Sequence, residues 1–335
     1  MPPAFDLIGV GNPIMDLLAH VDDAFLARHV AGAKGGMVLV DDADIAALVQ
    51  QVKGQVAMMP GGAAGNATLG AARLGLRATY LGKIGGDITA EHYFENFTAA
   101  GGDGSRFKRA ALPNGRCLSL VTPDGQRTLR THLGAAMTLA PEEVTLADFA
   151  GTRHALIEGY LLFNPALAQK VIDTARAAGC TLSIDLASFE VVNAARDWIF
   201  GQLRQGVDIV FANEDEAAAL FGRKDAYENF ARELAGFGGI ACVKLGGEGA
   251  WIAQGKHLHR IAPVRAERVV DTTGAGDSWA AGFLYGHLRG ATLPVAGAIG
   301  SILGAETVQH LGAAIPDAHW PRIRAAAEAL VKQPK

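Results

Sequence analysis

Cysteine is scarce in this chain. There are three in 335 residues, Cys117, Cys180 and Cys242, and none stands in a C-x-x-C spacing. That excludes a disulfide scaffold and a cysteine-ligated zinc site, and makes buried free thiols the expectation. Charge is sparse as well, at 19% of residues, and the 30 basic side chains are outnumbered by 34 acidic ones and nowhere form a run of five. A formal net charge of −4 offers no footprint for nucleic acid. No apolar segment approaches the ~20 residues of a membrane span. The region before the first apolar run lacks the basic stretch of a leader, so no membrane partner and a cytoplasmic location are expected. Internal repeats and low-complexity tracts are missing too. His257 and His259 alternate on a short strand without a third ligand, which reads as a solvated strand face rather than a metal site.

Apolar residues, by contrast, make up half the chain. Strand-like runs at 79–84, 154–158, 181–185, 208–211 and 240–245 alternate with helix patterns at 41–52, 165–178 and 294–306. Such alternation specifies an α/β fold, a largely parallel sheet with helices on both faces. The segment 115–131 differs, because two alternating strands flank the turn signal Thr122-Pro-Asp-Gly125. Length alone would allow two domains. With no linker in evidence, the reading is one domain over 1–335, interrupted by a small β lid built from insertions at about 12–40 and 110–133.

Chemistry concentrates in a few runs. Asp271-Thr-Thr-Gly-Ala-Gly-Asp-Ser-Trp-Ala-Ala-Gly-Phe283 joins a glycine turn to an apolar helix start. Gly274, Ala275 and Gly276 let backbone N–H groups approach an anion at the positive end of the helix dipole. Asp277, in the first turn, is placed to take a proton from a hydroxyl beside that anion, although an acidic cap on a glycine turn accounts for the same residues. Gly61-Gly62 precedes an Ala- and Gly-rich helix carrying Asn66, a hinge followed by a group that can both donate and accept toward sugar hydroxyls. A tightly packed helix with a glycine entry is the alternative. Asn213-Glu-Asp-Glu216 follows an apolar strand, so that Asn213 and Glu216 are expected at the solvent, orienting water on Mg²⁺; ordinary helix capping would also explain them. Gly9-Val-Gly11 does not continue into a dinucleotide fingerprint, because Ile14 replaces the third glycine and Pro13 interrupts the helix it requires.

Together these runs resemble the ribokinase-like carbohydrate and nucleoside kinases, the PfkB family, whose D-T-x-G-A-G-D signature is matched without a gap by residues 271–277. The family's amino-terminal signature resembles Gly61 to Gly75, and its N-x-x-E motif lies at Asn213 to Glu216. The resemblance covers Val10 to about Ala313 and implies a ribokinase-like fold using ATP and Mg²⁺. It implies Asp277 as catalytic base, Gly274, Ala275 and Gly276 as anion hole, and Asn12, Asp16, Gly61, Gly62 and Asn66 around the acceptor. It further implies Lys244, Gly246, Gly249 and Arg127 on the nucleotide side, Asn213 and Glu216 for water-held Mg²⁺, and Asp271 near a monovalent cation such as K⁺.

Within the family, Gly11-Asn-Pro13 and Asp124-Gly-Gln-Arg127 look closest to adenosine kinases. The departures are Ala63 and Ala64, and Leu161 where an adenosine kinase would place a base-stacking Phe. Met37, Tyr160 and Phe163 are the candidates for an apolar wall. The expected function is phosphorylation of a primary hydroxyl, the 5′-hydroxyl of a purine nucleoside, by a monomer or homodimer. The alternatives are a kinase for ribose, fructose or a related sugar acid, and a nucleoside-binding protein that has lost catalysis.

Overall fold

The computed structural model describes residues 4–32, 34–124 and 126–332. Its strands are β1 (Phe5–Val10), β2 (Ile14–His20), β3 (Met37–Leu39), β4 (Val56–Pro60), β5 (Ala78–Leu81), β6 (Lys83–Ile84), β7 (Lys108–Arg109), β8 (Gly115–Val121), β9 (Arg127–His132), β10 (Thr152–Glu158), β11 (Thr181–Asp185), β12 (Ile209–Asn213), β13 (Ile240–Lys244), β14 (Ala250–Gln254) and β15 (His257–Ile261). Among the described residues the main sheet has eight strands in the order β15-β14-β13-β12-β11-β10-β1-β5. It is parallel except at β14 and β15, which close antiparallel onto β13.

Helices cover both faces because successive strand residues point to opposite sides. Leu7 belongs to a core with the helices Ala63–Leu74, Ala275–Leu288 and Leu293–Thr307. Its neighbour Ile8 belongs to the opposite core with the helices Pro165–Ala177, Phe189–Gly206 and Tyr227–Ala235. Both side chains are fully buried, each contributing roughly 1.5–3 kcal/mol relative to exposure. The helix Ala275–Leu288 is apolar on nearly every side and correspondingly buried between its neighbours.

The run expected as one strand over 79–84 is broken at Gly82, where a Cβ would meet Gly11 O and Pro13; the chain turns there into the short β6–β7 pair. A second sheet, β3-β9-β8-β2-β4, stands apart from the first. Residues 56–60 join it along with the two insertions singled out in the sequence, because β4 pairs antiparallel with β2. The turn between β8 and β9 is held by Thr122 N on Gln126 O at 3.0 Å. Gly125, the last residue of the expected turn, lies outside the described residues. All three cysteines are free and buried. Among the described residues no helix is long and apolar enough to cross a membrane.

Candidate active site

Glu158, Asp185, Asn213 and Lys244 close the neighbouring parallel strands β10 to β13 at their carboxyl ends, where α/β folds gather ligand-binding groups. Gly274 caps the helix Ala275–Leu288 with a positive φ of 69°, and a Cβ there would lie 2.3 Å from that of Ala313. Ser278 N is the first amide to reach an i−4 carbonyl, Gly274 O at 2.8 Å, while Ala275 N turns back to Thr272 O at 3.3 Å. Among the described residues the amides of Gly274, Gly276 and Asp277 have no partner, so they are the donors that this helix start presents to an anion.

Asp277 is enclosed by protein yet still reached by solvent. Asn66 Nδ2 donates to its Oδ2 at 2.9 Å. Burial pushes its carboxyl up to about 6, with Asp185 raising it further and Asn66, Lys244 and Arg127 pulling it back. A carboxylate with that value can take up a proton near neutral pH.

Asp16 on β2 lies against the backbone of Gly61, where a Cβ would come within 2.5 Å of its carboxylate. Gly62, at φ 88°, leaves space for Asn12 O, 2.3 Å from where its Cβ would be. The paired glycines therefore have a steric role: they admit the two polar groups that precede them in the chain. Burial raises Asp16 to about 7, and Asp277 and Asp271 add to the shift against the opposing charge of Arg127.

Glu158 went unnoticed in the sequence. Only 1% exposed at the end of β10, it accepts from Asn12 Nδ2 at 3.0 Å and from Ala64 N at 3.0 Å. Its carboxyl is pushed up to about 7 by burial, against those hydrogen bonds. Asp185, beside Glu158 in the register of β10 and β11, is the second omission. It holds Lys244 Nζ at 2.9 Å. Both are acidic residues closing predicted parallel strands, the one pattern that could have flagged them. Ala187, the one described non-glycine residue with positive φ, follows Asp185 and donates its amide to the Asp185 carboxylate at 3.1 Å.

Lys244 reaches the anion turn, since its Nζ is 3.3 Å from the position of a Cβ on Gly276. Burial opposes its charge, but Asp185 and Glu216 outweigh it and raise the pKa. Gly246 and Gly249 belong to the short turn joining β13 to β14, closed by Leu245 N on Gly249 O at 2.8 Å. Gly249 is required there by Ile261 O, 2.1 Å from a would-be Cβ, whereas Gly246 and Gly247 face open space.

The expectation that Asn213 and Glu216 both meet solvent needs correction. Glu216 is 3% exposed, and the pair closes a reciprocal cap: Asn213 Nδ2 and N donate to the two Glu216 oxygens at 2.8 Å each, and Glu216 N donates back to Asn213 Oδ1 at 2.8 Å. Burial raises Glu216, Lys244 lowers it, and the charges of Asp185 and Asp277 raise it again. This surplus of negative charge suits a divalent cation held through water. Asp271 is different. Its carboxylate accepts from Thr273 Oγ1 at 2.6 Å, Thr273 N at 2.9 Å and Gly312 N at 2.9 Å, and despite burial these bonds keep it below the usual range. That engagement makes Asp271 a brace for the turn.

Leu161, which stands at the base-stacking position, is buried in the core; of the expected wall, Tyr160 stacks on Phe163 at 6.5 Å, Phe163 is exposed, and Met37 is exposed on the edge strand β3. A hollow of about 100 Å³ is lined in part by Asn66, Ser278 and Ala313. A larger one, about 620 Å³ between residues 29–31 and 40–51, contains none of these groups.

Residues 35–320 match the pfkB family carbohydrate kinase model. The chain belongs to the PfkB carbohydrate kinase family. PfkB kinases are phosphotransferases acting on nucleosides or sugars, and the family implies ATP as donor. The protein is similar to the adenosine kinase of Sinorhizobium meliloti, 33% identical, with a TM-score of 0.87 over 97% of this chain and 99% of that one. A probable sugar kinase from Rhizobium etli CFN 42 is 32% identical, with a TM-score of 0.88 over 98% and 99% of the two chains. The adenosine kinase of Saccharomyces cerevisiae is 26% identical over 336 residues, covering 92% of this chain and 96% of its own. The expected ribokinase-like α/β architecture is the one observed.

Proposed function

We propose that this PfkB kinase transfers a phosphoryl group from ATP to the 5′-hydroxyl of a purine nucleoside. The observation that carries the reading is the 2.9 Å hydrogen bond from Asn66 to Asp277, which joins the acceptor side of the cleft to the base at the helix start. With Oδ2 engaged by Asn66, Oδ1 of Asp277 is left to accept the proton of the attacking hydroxyl. The unpaired amides at 274, 276 and 277, with Lys244 beside them, stabilise charge on the phosphoryl group in transit. Asp16 accepts from the vicinal diol of the sugar, and Asn12, held by Glu158, completes that contact. Mg²⁺ arriving with the nucleotide supplies charge neutralisation, and Asn213 and Glu216 would hold it through water. The second sheet acts as a lid over the acceptor, with Arg127 anchoring it to the turn. Similarity to adenosine kinases supports the nucleoside; two of them are the S. meliloti and yeast proteins.

A sugar acceptor is the second reading. Two observations favour it: Leu161 is buried instead of forming a stacking wall, and Glu158 adds a buried carboxylate beside Asn12. The discriminating experiment measures ADP formation with purine nucleosides, ribose, fructose and keto-deoxy sugar acids. A purine nucleoside is expected to give the highest kcat/KM, and a free sugar outperforming every nucleoside overturns the nucleoside reading while leaving the kinase intact.

A further inference from the structure

Behind the anion turn, three side chains that play no part in the proposed phosphoryl transfer converge on one another. Glu306 is 4% exposed near the end of the helix Leu293–Thr307. Its Oε1 is met by His310 Nε2 at 3.3 Å and by His319 Nδ1, and its Oε2 accepts from Arg322 Nη2 at 2.7 Å. The carboxylate oxygen and the two ring nitrogens all lie within 4.8 Å of one another, and the imidazole planes stand at 85°. Both histidines are only partly buried, so solvent reaches the open side of the cluster.

We propose that Glu306, His310 and His319 form a binding site for a divalent transition-metal ion, with Zn²⁺ the best fit, separate from the Mg²⁺ that accompanies the nucleotide. Two imidazoles and one carboxylate are a borderline-soft donor set suited to Zn²⁺, whereas Mg²⁺ requires oxygen ligands. Tetrahedral coordination at about 2.0–2.1 Å separates neighbouring ligand atoms by roughly 3.3 Å. Glu306 and His310 already stand at 3.3 Å. His319, closer than that, has a side chain 38% exposed and room to swing outward. Arg322 is placed to hold the second carboxylate oxygen, the outer contact that orients a monodentate ligand. Solvent supplies the fourth position.

The ligands bracket a segment that touches the catalytic turn. Val308 O accepts from Val270 N at 2.7 Å, and Gly312 N donates to Asp271 Oδ2 at 2.9 Å. Ala313 occupies the space beside Gly274. A bound ion ties both ends of 306–319 together and stiffens the backing of the turn.

The test uses the untagged full chain, stripped with chelator and free of nucleotide, titrated with Co²⁺ and with Zn²⁺. One equivalent of Co²⁺ should produce a visible d–d band that one equivalent of Zn²⁺ abolishes, with a rise in Tm. His319→Ala, at the partly exposed position, should weaken binding at least tenfold and remove the band. Arg322→Ala should weaken it roughly 10- to 100-fold, the usual effect of losing an outer-shell partner. Asp277→Asn should leave Co²⁺ binding unchanged. Failure of the wild-type protein to bind, or a band that persists unaltered in His319→Ala, overturns the assignment; persistence there together with loss in Asp277→Asn would place the ion among the catalytic carboxylates instead.

Discussion

Arg127 Nη1 donates to Thr273 Oγ1 at 2.7 Å, linking β9 of the second sheet to the turn that starts the helix Ala275–Leu288. The same hydroxyl donates to Asp271, which in turn receives Gly312 N, so one chain of hydrogen bonds runs from the second sheet through the turn to the loop behind it.

If that chain anchors a closing lid, Arg127→Ala removes a hydrogen bond from a charged donor, worth roughly 1.5–3 kcal/mol. The expected result is a fall in kcat/KM of about 10- to 100-fold, with faster hydrogen exchange in 115–132 when nucleotide and acceptor are bound. Unchanged kinetics and unchanged exchange would exclude the anchor.

Asp277→Asn keeps the shape of the turn and removes the proton acceptor, so kcat should drop by about 10²- to 10⁴-fold while calorimetric ligand affinity stays close to wild type. Asn66→Ala should act on the same carboxylate more subtly. The Asn66 hydrogen bond favours the charged form of Asp277, and its loss should move the acidic limb of the kcat profile to higher pH. A profile that keeps its midpoint would dissociate Asn66 from the base.

The pH dependence of stability follows from the same burial. Asp16 and Glu158 are pushed up to about 7, Asp277 to about 6, and Glu216 is also raised. Between their ordinary values and these, the native state binds more protons than the unfolded chain, so stability falls as pH rises. His154, lowered to about 3 by burial, and His287, lowered too, act in the opposite sense, but they are two against four and their contribution is largely complete by pH 7. The ligand-free protein should therefore show a lower Tm at pH 8 than at pH 6, whereas kcat/KM should increase over that interval as Asp16 and Asp277 ionise. Glu158→Gln should flatten the Tm trend; a Tm that climbs steadily to pH 8 would contradict the assignment.

Gly62→Ala should be costly on two counts. The residue sits at φ 88°, and its Cβ would press on the backbone oxygen of Asn12 at 2.3 Å. Strain of that kind costs about 1–3 kcal/mol, readable as a lower midpoint in denaturant unfolding. Acceptor affinity should fall with it, because Asn12 is displaced. Gly75→Ala, also at positive φ but with open space around its Cβ, separates backbone strain from the clash.

What could be read directly from the chain was whatever depends on residues a few positions apart. The alternation of strand and helix runs, the glycine turn before Ala275 and the N-x-x-E cap at Asn213 are local patterns, and local sterics and hydrogen bonding enforce them wherever the segment lies. Partnerships were decided elsewhere. Asn66 meets Asp277 across 211 positions, Asn12 meets Glu158 across 146, and Lys244 meets Asp185 across 59. Glu216 illustrates the limit, because its spacing from Asn213 specified the cap, but its burial beside Lys244 and Asp185 came from the packing of β11, β12 and β13 side by side. The order of strands in a sheet is set by how apolar faces are covered across the whole molecule, and that order is what turned acidic residues at separate strand ends into one charged cleft.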